Sequence, residues 1–253
     1  MARFLLSRKW IVAHLFVLIV VAGCVVAGFW QLDRLHQRRA FNARVEAQLT
    51  VLPVLLDRLI PAGSSPDPGA LAYRRVEVEG TYDHADEVIL LGRELDDNPG
   101  NHVLTPLLLP DGGAIVVDRG WVPFDLDRPP VAPAAPPGGT VRLTGVLFPS
   151  EVNEVSSPAS GEKVTTLTKL DLGRIAQRIR SSSTLPLYLW LQTQQPGQAG
   201  SLPRRVPLPE LSEGPHLSYS IQWFSFALIG MVGYPIFIRR EMARTPPHSG
   251  RDQ

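Results

Sequence analysis

Two uncharged apolar runs near the ends of the chain constrain its fold more than any other feature. Ile11–Leu32 reads IVAHLFVLIVVAGCVVAGFWQL, with His14 the only titratable side chain besides Cys24. At 1.5 Å per residue such a helix reaches roughly 33 Å, enough for a hydrocarbon core of about 30 Å. Tyr219–Ile238, YSIQWFSFALIGMVGYPIFI, is again uncharged and just long enough to span. Trp10, Trp30, Tyr219, Trp223 and Tyr234 lie at or towards the span ends, where amphipathic rings favour the headgroup layer. Two rivals are weaker. Buried helices of a soluble core would fit the length, and VAGC ending at Cys24 looks like a lipoprotein processing box. A lipidated cysteine normally opens a polar tether, whereas Val25–Trp30 stays apolar and completes the span. Gly23/Ala27 and Cys24/Gly28 are small residues four apart, which permits close helix approach.

A mean hydropathy of +0.03 is too mixed for a bundle of many spans, so the rest of the chain must be polar. Arg3, Arg8 and Lys9 precede or open the first run. Residues 219–253 carry Arg239, Arg240, Arg244 and Arg251 against Glu241 and Asp252, and the region between the runs is net −4. The positive-inside rule sends both termini to the cytoplasm and the middle outside. The expected plan is a cytoplasmic N-terminus 1–10, a span 11–32, an extracytoplasmic α+β domain 33–218, a span 219–238 and a cytoplasmic tail 239–253. Such a chain sits in the plasma membrane as a two-span protein. One cysteine and six histidines exclude a disulfide scaffold, a zinc knuckle and CxxC redox or copper-delivery motifs. The near-neutral net charge of +1 argues against nucleic acid as partner.

In the middle region, residues 33–49 continue the first span as a helix with Leu35, Phe41, Val45 and Leu49 on one face, ending before Pro53. PAGSSPDPG (61–69) reads as a flexible linker. Tyr73–Tyr82 alternates as a strand, with Gly80 marking a bend or bulge. Glu87–Leu91 and His102–Leu109 flank the turn-prone DDNPGN, and Pro110-Asp111-Gly112-Gly113 joins LTPLLL to AIVVDRGW as the best hairpin signal. Thr140–Phe148 and Tyr188–Thr193 are further strands, and Leu170–Ile179 a short amphipathic helix. Residues 123–139 form a proline-stiffened loop. The fold class is α+β: two terminal transmembrane helices enclose an antiparallel, β-rich extracytoplasmic domain.

Chemistry is scarce there. No glycine-rich phosphate loop, GxSxG, HExxH or cysteine–histidine metal pattern occurs, so no copper, zinc or nucleotide is expected and the chain does not read as an enzyme. Asp83, His84, Asp86 and Glu87 read as an acidic solvent turn, and His102 is in reach of Asp96 or Asp97. The outer membrane interface is richer. Offsets of three and seven put His216, Tyr219 and Trp223 on one side of a helix. Trp30 and Arg34 close the first span at the same level. These residues leave two readings open: an interfacial aromatic belt with a helix-capping histidine, or a receptacle for a flat apolar cofactor. In the second, His216 would ligate heme iron and Arg34 would meet a propionate through paired guanidinium hydrogen bonds.

Four segments in order resemble a known family: GFWQLDRLHQRR (28–39), YRRVEVEGTY (73–82), VVDRGWVP (116–123) and HLSYSIQWFSFALIG (216–230). With the two-span plan, the chain resembles a bacterial, actinobacterial member of the surfeit locus protein family, the membrane assembly factors of cytochrome c oxidase. The resemblance implies a respiratory-chain chaperone that holds or passes heme a to the heme-containing oxidase subunit, in contact with that subunit and with heme A synthase. It places the family's heme-associated histidine at His216, and Trp30, Gln31 and Arg34 in its first-span motif. Arg119, Gly120, Trp121 and Pro123, which follow a strand, fall in its outer-domain signature as partner-binding or structural residues. A purely structural chaperone or accessory subunit of the oxidase that never touches heme is the alternative.

Overall fold

The computed structural model describes residues 7–61, 63–64, 66–152 and 164–244, so Arg3, Arg251 and Asp252 of the charge bookkeeping lie outside the described residues. The chain divides into a helical unit, up to Arg44 and from Leu211, and a β unit, Val45–Glu210.

The helical unit is built on α1, Arg8–Leu49, which runs from the first apolar stretch into the polar segment as one uninterrupted helix. Its seam follows positions 10, 14, 17, 21, 24, 28, 31 and 35, the alternating four- and three-residue spacing of two packed helices. Of the two small-residue pairs, Cys24/Gly28 carries the packing: both are buried, whereas Gly23 has nothing within 4 Å of where a Cβ would stand. Gly28 is required by closeness, since a Cβ there would come within 2.7 Å of the Phe224 ring. Ser220 donates to the Gly28 carbonyl at 3.1 Å, and Tyr234 pairs with His14 Nδ1 at 2.7 Å. Gly28→Leu is expected to weaken this pairing by about 1–3 kcal/mol through overpacking, measurable as a lowered unfolding midpoint of the full chain in detergent. Both long apolar helices leave most of their span windows exposed, as lipid-facing surface requires. Together with the polar β-rich middle they make a multi-pass membrane protein with an extracytoplasmic core.

The β unit contains β1 (Val54–Leu55), the single-turn helices α2 (Leu56–Leu59) and α3 (Pro68–Leu71), and β2 (Arg75–Tyr82). There follow β3 (Val88–Leu95), β4 (Asn98–Leu108), β5 (Gly113–Pro123), β6 (Thr140–Pro149), β7 (Thr166–Leu167), α4 (Leu172–Ala176) and β8 (Ser183–Gln195). The sheet order is β1-β2-β6-β8-β5-β4-β3-β7, and β2 also pairs with β4. That last pairing closes β2, β6, β8, β5 and β4 into a five-stranded barrel, antiparallel throughout except at β5–β8. Closure removes the exposed edges an open sheet of this length would carry.

Inward-facing Val76, Val78, Leu107, Ile115, Val117, Leu143, Leu147, Leu187 and Leu189 fill the barrel, and Leu56 and Ile60 join the same core. The opposite faces of β4 and β5 are also covered. Ala114, Val116, Leu104 and Tyr188 pack under Leu170, Leu172 and Ile175 of the α4 region, while Val103 and Val122 meet Val131 and Ala134 of the proline-rich loop. Hence β4 and β5 are buried almost continuously rather than alternately.

Local chemistry explains the departures from the sequence reading. The 110–113 hairpin forms as expected: Gly112 takes φ +85 and donates to the Leu109 carbonyl, and Asp111 Oδ1 accepts from Gly113 N–H. DDNPGN does not loop out. Asp96 and Asp97, both at positive φ, make a two-residue turn, and Pro99 and Gly100 are absorbed into β4. Gly80 is no bulge, because the β2–β6 register runs unbroken across it. It is a site of close approach, where a Cβ would overlap the Leu108 carbonyl as β2 changes partner. β2 starts at Arg75 because Tyr73 sits at φ 67. The end of the 61–69 segment is ordered too, with Asp67 capping α3 through Gly69 N–H; residues 62 and 65 lie outside the described residues.

Candidate functional site at the ends of the two long helices

The second long helix, α5, runs His216–Arg244 and begins at the histidine singled out by sequence. Its entry is tied to α1 by polar contacts. Arg39 makes two hydrogen bonds to the Glu213 carboxylate at 2.8 and 2.9 Å. Arg38 Nε donates to the Ser212 carbonyl, and Asn42 to the Leu211 carbonyl. The bidentate pair raises the Arg39 guanidinium and holds the Glu213 carboxyl below its ordinary value, chiefly through the hydrogen bonds themselves.

His216 Nδ1 lies 2.9 Å from Gln31 Oε1. The amide oxygen can only accept, so Nδ1 carries the proton and Nε2 keeps its lone pair. An imidazole held this way is the arrangement that prepares a histidine for a metal, the outer partner fixing tautomer and ring angle. The Nε2/Cδ2 edge faces Gly214, at φ +69, where a Cβ would come within 3.5 Å of the ring. A histidine held in this way would be able to hold a heme iron through Nε2, were the group bound.

Other sequence-derived candidates are placed less uniformly. Trp223 is half-buried and meets Phe226 edge-on at 6.1 Å. Tyr219 is 48% exposed, and Ser220 takes the inward position instead. A three-residue step turns a helix by about 300°, so Tyr219 stands some 60° off the His216 direction. Trp30 is 57% exposed. Arg34 is exposed and donates to Gln37 Oε1 at 3.0 Å, so its guanidinium remains available on the surface. His14, by its bond to Tyr234, belongs to the opposite end of the helix pair.

The outer-domain signature lies inside β5 rather than after a strand, because pairing with β4 runs to Gly100↔Pro123. Arg119 continues the inward row Ile115–Val117 and is 1% exposed. It donates to Gln198 Oε1 at 2.7 Å, stacks over the Tyr82 ring at 5.2 Å and stands 3.5 Å from Glu87. Glu87 is no part of a solvent turn. It is fully buried and accepts from Val131 N–H and the Thr105 hydroxyl. Burial pushes the Glu87 carboxyl up and the Arg119 guanidinium down, each partly opposed by the other. Burial likewise pushes Tyr82 up to about 12, against the pull of Arg119 and Arg205. Gly120 has φ +125, and Trp121 is buried in a two-way backbone bridge with Arg204 at 2.8 Å. Pro123 ends β5. Asp118 Oδ2 takes His102 Nδ1 at 2.8 Å; neither Asp96 nor Asp97 is its partner, Asp96 pairing with Arg204. Among the described residues no group of three or more His, Cys, Asp or Glu could hold a metal ion.

The model of the SURF1 family matches residues 18–228 of this chain. An uncharacterized SURF1-like protein of Mycobacterium tuberculosis is 31% identical over 258 aligned positions, covering 96% of this chain and 91% of that protein. A SURF1-like protein of Rickettsia bellii is 27% identical, covering 90% and 91%. Surfeit locus protein 1 of the rat is 25% identical, covering 91% of this chain and 76% of its own length.

Proposed function

Because this chain belongs to the SURF1 family, whose characterized members act in cytochrome c oxidase assembly, we propose that it is a non-catalytic, membrane-anchored assembly factor that receives heme a and delivers it to the heme-containing oxidase subunit. Heme a synthase is the expected donor in this scheme. The membrane-embedded parts of α1 and α5 are residues 11–32 and 219–238, with 1–10 and 239–253 cytoplasmic and 33–218 outside.

The observation that carries the reading is the His216–Gln31 hydrogen bond. Bound heme supplies an iron that needs an axial nitrogen, and His216 Nε2 is the nitrogen left available. Gln31 acts as a positioning residue: it holds the ring in one tautomer before cargo arrives. The exposed Arg34 guanidinium is the propionate partner, and Trp30, Tyr219 and Trp223 supply aromatic surface for the porphyrin.

The test is an absorption titration of the purified full chain with heme a. His216→Ala should lose the wild-type Soret position and bind more weakly by tenfold or more. Gln31→Leu should weaken binding less than His216→Ala and leave the Soret position unchanged, as expected when an outer-shell partner rather than the ligand is lost. Arg34→Ala should act more mildly, and His14→Ala not at all. Unchanged affinity and spectrum in His216→Ala would remove the ligand assignment. Failure of the wild type to bind heme in detergent and in lipid would put the structural-chaperone alternative first.

A further inference from the structure

A cavity of about 230 Å³ opens on the outer face of the barrel, entirely within the β unit. Two of its lining residues are buried and carry polar atoms that the fold leaves unused. His102, buried in β4, has Nδ1 committed to Asp118 Oδ2 at 2.8 Å. Asp118 in turn accepts from Gly120 N–H on its other oxygen. This fixes the imidazole as the Nδ1–H tautomer, with Nε2 an acceptor that has no partner among the described residues. Tyr188, buried in β8, lines the same cavity, and its hydroxyl has no partner among them either. Burial, helped by the Asp118 and Glu151 carboxylates, pushes the phenol up, so it stays protonated and donates.

The rest of the lining narrows the choice of ligand. Trp190 stands edge-on to His102 at 5.7 Å and has its own N–H committed to the Val206 carbonyl, which leaves it only apolar surface to offer. Pro207 and Pro209 supply the facing wall. Three carboxylates, Glu94, Asp118 and Glu151, stand against one guanidinium, Arg93, which is already clamped on Glu151 at 2.7 and 2.9 Å. An anion would be repelled there, and the one lining carboxylate left without a partner among the described residues, Glu94, is exposed, where water screens its pull on an ammonium. The volume is below the roughly 300–1,000 Å³ of drug-sized sites, so the occupant is a single ring.

We propose that this cavity is a binding site for a small uncharged hydroxylated ring, whose O–H donates to His102 Nε2 while its oxygen accepts from the Tyr188 hydroxyl. The ring lies between Trp190 and the two prolines. Asp118 is the positioning residue that fixes the ring by accepting from Nδ1–H. None of the residues assigned to heme handling lines it.

Equilibrium dialysis of the full chain in detergent micelles tests this, with resorcinol as probe and empty micelles as blank. One equivalent should bind saturably. Tyr188→Phe, which keeps the ring and its packing and so preserves the fold, should weaken binding about tenfold, the effect of one lost hydrogen bond in a dry site. Benzoate and benzylammonium should bind at least tenfold more weakly than resorcinol. Absence of saturable binding, equal affinity in Tyr188→Phe, or equal binding of either charged ring would each overturn the proposal.

Discussion

Arg119→Ala is expected to destabilise the β unit by about 3–5 kcal/mol, the range for removing one partner of a buried ion pair. The side chain is deeply buried on the inner face of β5, where its alternation partners are Ile115 and Val117. Its removal takes away the stack on Tyr82 and the bond to Gln198, and leaves the buried Glu87 carboxylate with only His84, at 3.7 Å, as a basic neighbour. Domains hold only about 5–15 kcal/mol in total, so the loss should appear as poor accumulation of the protein as well as a lowered denaturation midpoint. The deficit should also depend on pH. Glu87 is already raised above its ordinary value of 4.5 by burial, and losing the guanidinium raises it further. A raised folded-state carboxyl contributes stability at low pH that is lost as pH rises. The gap between variant and wild type should therefore be smaller near pH 5 than near pH 8. Arg119→Ala combined with Glu87→Gln should cost less than the two changes separately, by about 0.5–3 kcal/mol. Strict additivity would show that the two side chains do not stabilise each other.

Sequence patterning revealed the elements of this fold better than their closure. The terminal helices were legible because charge is absent over a membrane thickness, and the β4–β5 hairpin because only glycine and aspartate suit its turn. Barrel closure depends on two residue pairs, Thr81↔Leu108 and Tyr82↔Leu107, between strands that β3 separates in sequence. No local propensity encodes such a pairing. Gly80 was visible as an anomaly, yet a glycine needed for close approach and one needed for a bulge look alike in a sequence. Asp96 and Asp97 hid a tight turn because the following Pro99 and Gly100 look like loop residues; β4 accommodates them with Pro99 opposite Glu94.

Site residues divide along the same line. His216 stood out by its place at the mouth of a span, but its link to Gln31 crosses 185 positions. The available clue was the repeat 14, 21, 28, which, continued by the seam's three-residue step, points the glutamine towards a second helix. For His102 the clue was register. Counting back from the hairpin puts Leu104 opposite Asp118, which makes His102 a diagonal neighbour of that carboxylate on the same face. Acidic residues close in sequence drew attention to Asp96 and Asp97 instead. Burial of Glu87 was invisible for another reason: its counter-charge arrives from β5 and its N–H donor from the proline-rich loop.

Gly120→Ala should be as damaging as losing Arg119, although it adds one methyl group. At φ +125 the backbone of residue 120 lies where a Cβ is strained in any surroundings, at a cost of about 1–3 kcal/mol. Here the added carbon would also overlap the Arg204 carbonyl oxygen and crowd its carbonyl carbon. A side chain can rotate away, but a carbonyl held in a bridge does not. Arg204 is fixed by two backbone hydrogen bonds to Trp121, and Arg205 donates to the Arg119 carbonyl at 3.2 Å. Relief therefore requires the 204–205 segment to leave β5, giving up these bonds at about 1 kcal/mol each and exposing Trp121. Gly138→Ala is the control, since its added Cβ meets nothing within 4 Å and its φ is ordinary. Limited proteolysis of the two variants should cut Gly120→Ala within residues 196–210 at protease concentrations that leave Gly138→Ala and wild type intact. Equal resistance would mean that the segment is not pinned by β5.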